Sequence, residues 1–229
     1  CLASGDSIRT NGRMLSVQPK QPWSHNMLAA DFFETAYREL ASRYAGLTRD
    51  VYLVPPEKMN EGTDLLNLCG VHYDEKLYFN DETADLKSYG MEQAGGLTIN
   101  FLLGGRGRSA VFINENCLPP DSHEGAVWLW RYNSLHHELM HALDFSKQKN
   151  FNTSKRTMDL VGAEVFADQK TLLHLKSLNS NDFMRVALQQ YARNVKTMGQ
   201  KGGIRADIYN RLTRKVDEKS IDYWASIEF

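Results

Sequence analysis

Residues 137–141 read His-Glu-Leu-Met-His, the HExxH pattern. On a helix, side chains four positions apart share one face with Cβ atoms about 5–6 Å apart, so His137 and His141 can hold a single metal ion. Glu138 lies about 100° further round the same helix, off the metal but within reach of a water bound to it. That division of labour suits metal-assisted hydrolysis: the ion activates a water and the carboxylate takes its proton. The plainer alternative is a pair of ordinary surface histidines. The apolar neighbours Leu135, Leu139, Met140 and Leu143 weigh against it, because they point to a buried site rather than a solvated face.

A catalytic zinc usually takes three protein ligands and keeps its fourth position open. Downstream, the run Gly162-Ala163-Glu164-Val165-Phe166-Ala167-Asp168 places Glu164 and Asp168 one helical turn apart on one face. Glu164 is the favoured third ligand, with Asp168 accepting a proton from the far nitrogen of a ligand histidine and so fixing its tautomer. Asp144 competes for the ligand role. It follows His141 by three and would have to curl along its own helix, so a supporting position behind the ligands suits it better; Asp159 is a weaker rival. A solvated acidic face is the alternative for Glu164 and Asp168, but the small residues Gly162, Ala163 and Ala167 favour close packing on the HExxH helix. His136 reads as structural. His25, His72, His123 and His174 have no partner at ligand spacing and read as ordinary polar residues.

On these positions the chain resembles the zincin metallopeptidases, and within them the gluzincin branch, where HExxH is followed by a glutamate on a second helix. His137, Glu138 and His141 match the first part, and Glu164 with Asp168 matches the second in its Glu-x-x-x-Asp form. The 22 intervening residues, Ala142 to Ala163, fall within the family's range. The metzincin continuation is excluded, because it needs a glycine at 144 and a histidine at 147 where this chain has Asp144 and Lys147. The likeness covers residues 97–175 and extends to secreted toxin and translocated-effector proteases of bacterial pathogens, in some of which an aspartate follows the second histidine as Asp144 does here.

The resemblance implies a zincin-like α+β fold: an N-terminal lobe with a small twisted mixed sheet and helices, a long active-site helix, and a helical C-terminal lobe. It implies one Zn2+ ion, a protein or peptide substrate, and endopeptidase chemistry with Glu138 as general base. It also implies a further electrophile for the tetrahedral oxyanion. Tyr209, with Arg205, is the first candidate, followed by Tyr191 and Tyr223. A substrate strand is expected to pair with an exposed sheet edge, for which Ala110–Ile113 is the expected strand. Two other readings stay open. One is a catalytically inactive, zinc-stabilised protein-binding module, and the other is a zinc-free interaction domain in which the motif is coincidence. Glu138 argues against the first, since a purely structural site is normally closed by four protein ligands.

The elements that must carry these residues follow from the rest of the chain. Its 229 residues, 42% hydrophobic and 24% charged, are enough for a sizeable core. With 27 basic and 28 acidic side chains, no polyanionic partner is expected, which excludes nucleic acid from the leading readings. No stretch approaches the roughly 18 apolar residues of a membrane span. The three cysteines, Cys1, Cys69 and Cys117, make no disulfide framework. Cys1 as first residue fits either a cleavage boundary or the lipid-bearing residue of an exported lipoprotein, and the family likeness suggests a secreted bacterial protein. A monomer is expected from the size.

Residues 1–23 read as an extended arm and 24–229 as a single domain, with a sheet-bearing lobe over 24–145 and a helical lobe over 146–229. The four-residue recurrence of Leu28, Phe32, Ala36, Leu40 and Tyr44 predicts a helix over 27–44. Val51–Val54, Leu77–Phe79, Leu97–Leu103 and Ala110–Ile113 read as strands, the last two joined by a turn at 104–107 carrying Arg106 with Arg108 beside it. Helices are predicted from Asp121 or Ser122 to about Phe145, over 159–178, over 182–198, and from about Arg205 through Val216.

Overall fold

The β-branched and aromatic run Asp50–Val54 and the apolar stretches either side of the glycine-rich turn form the heart of a sheet. The computed structural model describes residues 7–10, 13–16, 40, 50–54, 95–103, 106–114, 124–146, 160–179 and 182–228. Strands β1 (Ser7–Thr10), β2 (Arg13–Ser16), β3 (Asp50–Val54), β4 (Gly96–Leu103) and β5 (Arg106–Asn114) lie in the order β2-β1-β3-β5-β4. The sheet is mixed. β1 pairs antiparallel with β2 and parallel with β3; β3 runs parallel to β5, with Asp50 opposite Ala110 and Val54 opposite Asn114; β4 and β5 form an antiparallel hairpin. Two segments of the expected N-terminal arm are thus strands of this sheet.

Two expectations are corrected by this topology. Ala110–Ile113 is not an edge: β5 lies between β3 and β4 and bonds to both, so no incoming strand can pair with it. Val111, Phe112 and Ile113 are wholly buried, which is why the run is continuously apolar rather than alternating. Among the described residues β2 and β4 are the two edge strands, and β4 is the one that packs against the helix Glu124–Ser146. Arg106 and Arg108 also fall within β5 rather than in the turn, since Leu103 pairs with Arg106 and only two residues connect the strands.

Five helices follow: α1 (Glu124–Ser146), α2 (Leu160–Ser177), α3 (Asp182–Gln200), α4 (Gly203–Leu212) and α5 (Glu218–Ala225). The described chain is therefore α+β, with the sheet preceding the helices. α1 packs on β4 and β5 on one side and on α2 and α3 on the other. Enclosure on both sides explains its weak amphipathicity; Tyr132, Leu135, Leu139, Met140 and Ala142 are all buried. α3 shows the opposite pattern. Met184, Ala187, Leu188, Tyr191, Ala192 and Val195 recur at helical spacing as one buried stripe.

The buried apolar residues, from Val111 and Ile113 of β5 through α1, α2 and α3 to Ile221 and Trp224 of α5, form a single cluster that also includes Leu40. The helix expected from about Arg205 through Val216 ends at Leu212, and α5 lies beyond the expected helices. Lys215 and Val216 both donate to the carbonyl of Leu212 as the chain reverses, and α5 then starts after Asp217. It is tied to α3 by Arg193 Nε donating to the Ala225 carbonyl (2.8 Å), by Gln189 donating to the Ile227 carbonyl, and by Lys196 on Asp222. Between α3 and α4, Gly202 and Gly203 both take positive φ (78° and 57°), a conformation glycine adopts without strain.

The helix expected over 27–44 lies outside the described residues apart from Leu40, which is helical. The expected strand Leu77–Phe79, the cysteines, Asp159 and His25, His72 and His123 also lie outside them. No helix among the described residues is long and apolar enough to cross a membrane.

Candidate metal centre

Two helices each contribute a pair of residues one turn apart: His137 and His141 from α1, Glu164 and Asp168 from α2. Nε2 of His137 and Nε2 of His141 are 3.0 Å apart. Glu164 closes the triangle, with Oε1 3.4 Å from His141 Nε2 and Oε2 3.7 Å from His137 Nε2. Donors bound at about 2.0–2.1 Å to one tetrahedral zinc stand about 3.3 Å from one another, a value these three edges bracket. The donor set, two imidazole nitrogens and a carboxylate oxygen, fits a zinc ion. Among the described residues His137, His141 and Glu164 are the one group that can hold a metal. Asp144 is not part of it.

The far side of His137 is fixed by α2 and α3 together. Its Nδ1 lies 2.6 Å from Tyr191 Oη and 3.1 Å from Asp168 Oδ1, and Tyr191 donates to that same Asp168 oxygen at 2.7 Å. A hydroxyl that gives its hydrogen to Asp168 can only accept from His137, so Nδ1 carries the proton and Nε2 presents a lone pair. The structure thus brings Asp168 to the position expected for it. Tyr191, weighed in the sequence only as an oxyanion electrophile, stands behind the histidine instead. The tyrosine gives no spacing signal for this, because the contact joins residues 54 positions apart.

Electrostatics at the triangle follow from three acceptors aimed at one point. Burial disfavours a charged His137 ring, but its bond to Asp168 and the negative charges of Asp168, Glu164 and Glu138 outweigh that and raise its pKa from 6.5 to about 9. Burial likewise opposes ionisation of Glu164, yet its bond to His141 and the positive charges of His137, His141 and Arg205 lower its pKa from 4.5 to about 2. Without a metal, then, a proton takes the place of the cation. Burial and the carboxylate of Asp168 push the Tyr191 hydroxyl well above its usual value of 10, so it stays protonated and able to donate.

Glu138 occupies the next face of α1. It is buried, and Thr98 on β4 approaches it with Oγ1 2.6 Å from its Oε2 and 2.9 Å from its backbone oxygen. The close approach needs glycine on the strand. A Cβ on Gly96 would stand 2.7 Å from Glu138 Cγ, and one on Gly95 2.5 Å from Ser134 Oγ. Neither Thr98 nor the glycine pair could be assigned to Glu138 from sequence, since strand register decides which β4 residues face α1.

The remaining expected residues separate. Arg205 NH1 is 3.7 Å from Glu164 Oε2, so α4 does bring a cation to the site. Tyr209, one turn on, packs its Cβ and Cγ where a side chain on Gly199 would otherwise sit, and its hydroxyl pKa is raised by burial and by Glu218 and Asp222. Tyr223 is exposed. His136, read as structural, and His174, read as an ordinary polar residue, are both buried and stacked on each other, centroids 4.1 Å apart, with His136 Nδ1 2.9 Å from Thr171 Oγ1 and His174 Nε2 2.5 Å from Tyr132 Oη. This polar seam runs between α1 and α2 beside the metal triangle and helps set their register.

No family model, curated protein or solved structure matches the chain. The functional reading therefore rests on the residues and their geometry.

Proposed function

We propose that the chain is a zinc-dependent endopeptidase of the zincin type, with His137, His141 and Glu164 holding one ion and Glu138 as the general base. The observation that carries this reading is the convergence, among the described residues, of three donors on one point, with a buried carboxylate one residue away that is held by a strand of the sheet. Three protein ligands leave a position open for water or substrate, whereas a structural site would normally be closed. A bound zinc would supply Lewis-acid polarisation of the scissile carbonyl and a water acidic enough to deprotonate near neutral pH.

The chain's own residues supply the rest. Thr98 occupies Oε2 of Glu138, leaving Oε1 as the oxygen that takes a proton from water and returns it to the leaving amine. Asp168 and Tyr191 keep the His137 proton on Nδ1, so that its Nε2 remains a ligand. Arg205, paired with Glu164 and half exposed, is the cation that the described residues bring to the triangle for a developing oxyanion, ahead of Tyr209. An extended peptide would add to the edge of β4 that no described strand occupies, taking the role expected of Ala110–Ile113.

The experiment compares wild type with Glu138→Gln on a proteome-derived peptide library read by mass spectrometry. The expected outcome is new peptide termini with wild type, none with Glu138→Gln, and equal zinc content in both. Cleavage by Glu138→Gln at the wild-type rate would remove the assigned base.

A further inference from the structure

We infer that Thr98 is a positioning residue for Glu138, holding Oε2 of its carboxyl group against β4 so that Oε1 is the oxygen left for the reaction; the inference rests on the peptidase reading above. Thr98 Oγ1 carries one hydrogen yet lies within bonding distance of two acceptors, the Glu138 backbone oxygen at 2.9 Å and Oε2 at 2.6 Å. While Glu138 is a carboxylate, the hydroxyl donates to Oε2. Because Thr98 holds Oε2 and not Oε1, the carboxyl group need not rotate when Oε1 takes up or gives back a proton, and Oε2 accepts the same hydrogen bond in either case. The heavy atoms stay where they are, so the base stays in register across proton transfer.

The surroundings reinforce the assignment. Gly96, two residues before Thr98 on the same face of β4, gives Glu138 Cγ room to lie against the strand. Glu138 is 7% exposed, so solvent competes little for Oε2. β4 is also an edge strand among the described residues, the one beside α1, so the strand that would receive a peptide is the one that fixes the base acting on it. Docking and base alignment are thereby coupled through one element.

The test uses zinc-loaded full chain as wild type, Thr98→Val, Thr98→Ser, Glu138→Gln, and the Thr98→Val, Glu138→Gln double variant. Acetohydroxamic acid is the probe, because its metal-bound form needs a carboxylate acceptor beside the ion. Valine is close in shape to threonine and suits a strand, so the fold is expected to hold; melting temperature and zinc content are read alongside. Thr98→Val is expected to weaken acetohydroxamate binding roughly tenfold, as loss of a charge-assisted hydrogen bond implies. On a peptide identified in the library it should lower kcat roughly tenfold with KM unchanged. Thr98→Ser should restore both.

In the Glu138→Gln background, Thr98→Val should make no further difference to acetohydroxamate affinity. An equal loss in that background, or no loss from Thr98→Val in wild type, overturns the inference while leaving the peptidase reading intact. Absence of zinc and hydroxamate binding by wild type removes the peptidase reading itself, and the inference with it. If Thr98→Val does not fold, Thr98→Ala is read by the same criteria.

Discussion

Tyr191 Oη lies 2.6 Å from Nδ1 of His137, joining the third helix to a candidate ligand on the first. The contact makes the metal triangle a product of three helices rather than of one motif, because the hydroxyl also donates to Asp168 on the second. Removing it should loosen the histidine without emptying the core. Tyr191→Phe is expected to weaken zinc affinity about tenfold, at the low end of effects for such supporting residues, since Asp168 still reaches Nδ1 at 3.1 Å. Asp168→Ala should cost more. Competition with a chromophoric chelator measures both, and equal affinity in Tyr191→Phe and wild type would contradict the bridging role.

Proton and metal compete for the same lone pairs. With His137 at about 9 in the metal-free protein, the ring is protonated at neutral pH and must lose that proton to bind zinc. Zinc affinity should therefore rise with pH between about 6 and 9, with about one proton released per ion at pH 7. Calorimetry in buffers of different ionisation enthalpy reads this directly; a pH-independent affinity would contradict it.

The same shifts set the stability of the metal-free chain. His137 is raised above 6.5, so its contribution is complete below 6.5 and lost as pH rises through about 9. Glu164 is lowered from 4.5, so its contribution is present above 4.5 and lost as pH falls through about 2. For this pair the chelator-treated protein should melt highest between 4.5 and 6.5 and lower on either side, as thermal unfolding across pH would show.

Gly96→Ala tests the fit between β4 and α1. Its Cβ would meet not only Glu138 Cγ but the Phe112 backbone oxygen at 3.1 Å, and a backbone atom cannot swing away. A loss of about 1–3 kcal/mol of stability is expected, as for overpacking elsewhere, together with a fall in kcat larger than for Gly202→Ala, where the added Cβ meets no atom within 4 Å. Denaturant unfolding and peptide cleavage check the two parts.

Local pattern carried much of the site and a good part of the frame. His137, His141, Glu164 and Asp168 were legible because helical periodicity makes four-residue spacing a statement about direction, and both pairs lie inside helices long enough to be read. The hairpin β4–β5 was legible for a similar reason, through its flanking apolar runs and glycine turn. Strand order was not, and this hid both the interior position of Ala110–Ile113 and the approach of Thr98 to Glu138. The Tyr191–His137 contact and the His136–His174 stack were hidden by the same cause: each joins separate helices, and helix packing leaves no short-range spacing in the chain. The end of α4 at Leu212, short of the expected Val216, was missed because Val216 stays buried through the reversal and so does not mark the helix end; α5 was not predicted.

Zinc titration of the metal-free chain, followed by calorimetry for wild type, His137→Ala, Glu164→Ala and Asp144→Ala, bears most directly on the centre. One ion per chain is predicted for wild type, no saturable binding for His137→Ala, an affinity lowered about a hundredfold or more for Glu164→Ala, and near wild-type binding for Asp144→Ala. Wild-type protein that takes up no zinc, or an Asp144→Ala loss exceeding that of Glu164→Ala, would contradict the assignment of His137, His141 and Glu164 as the ligands.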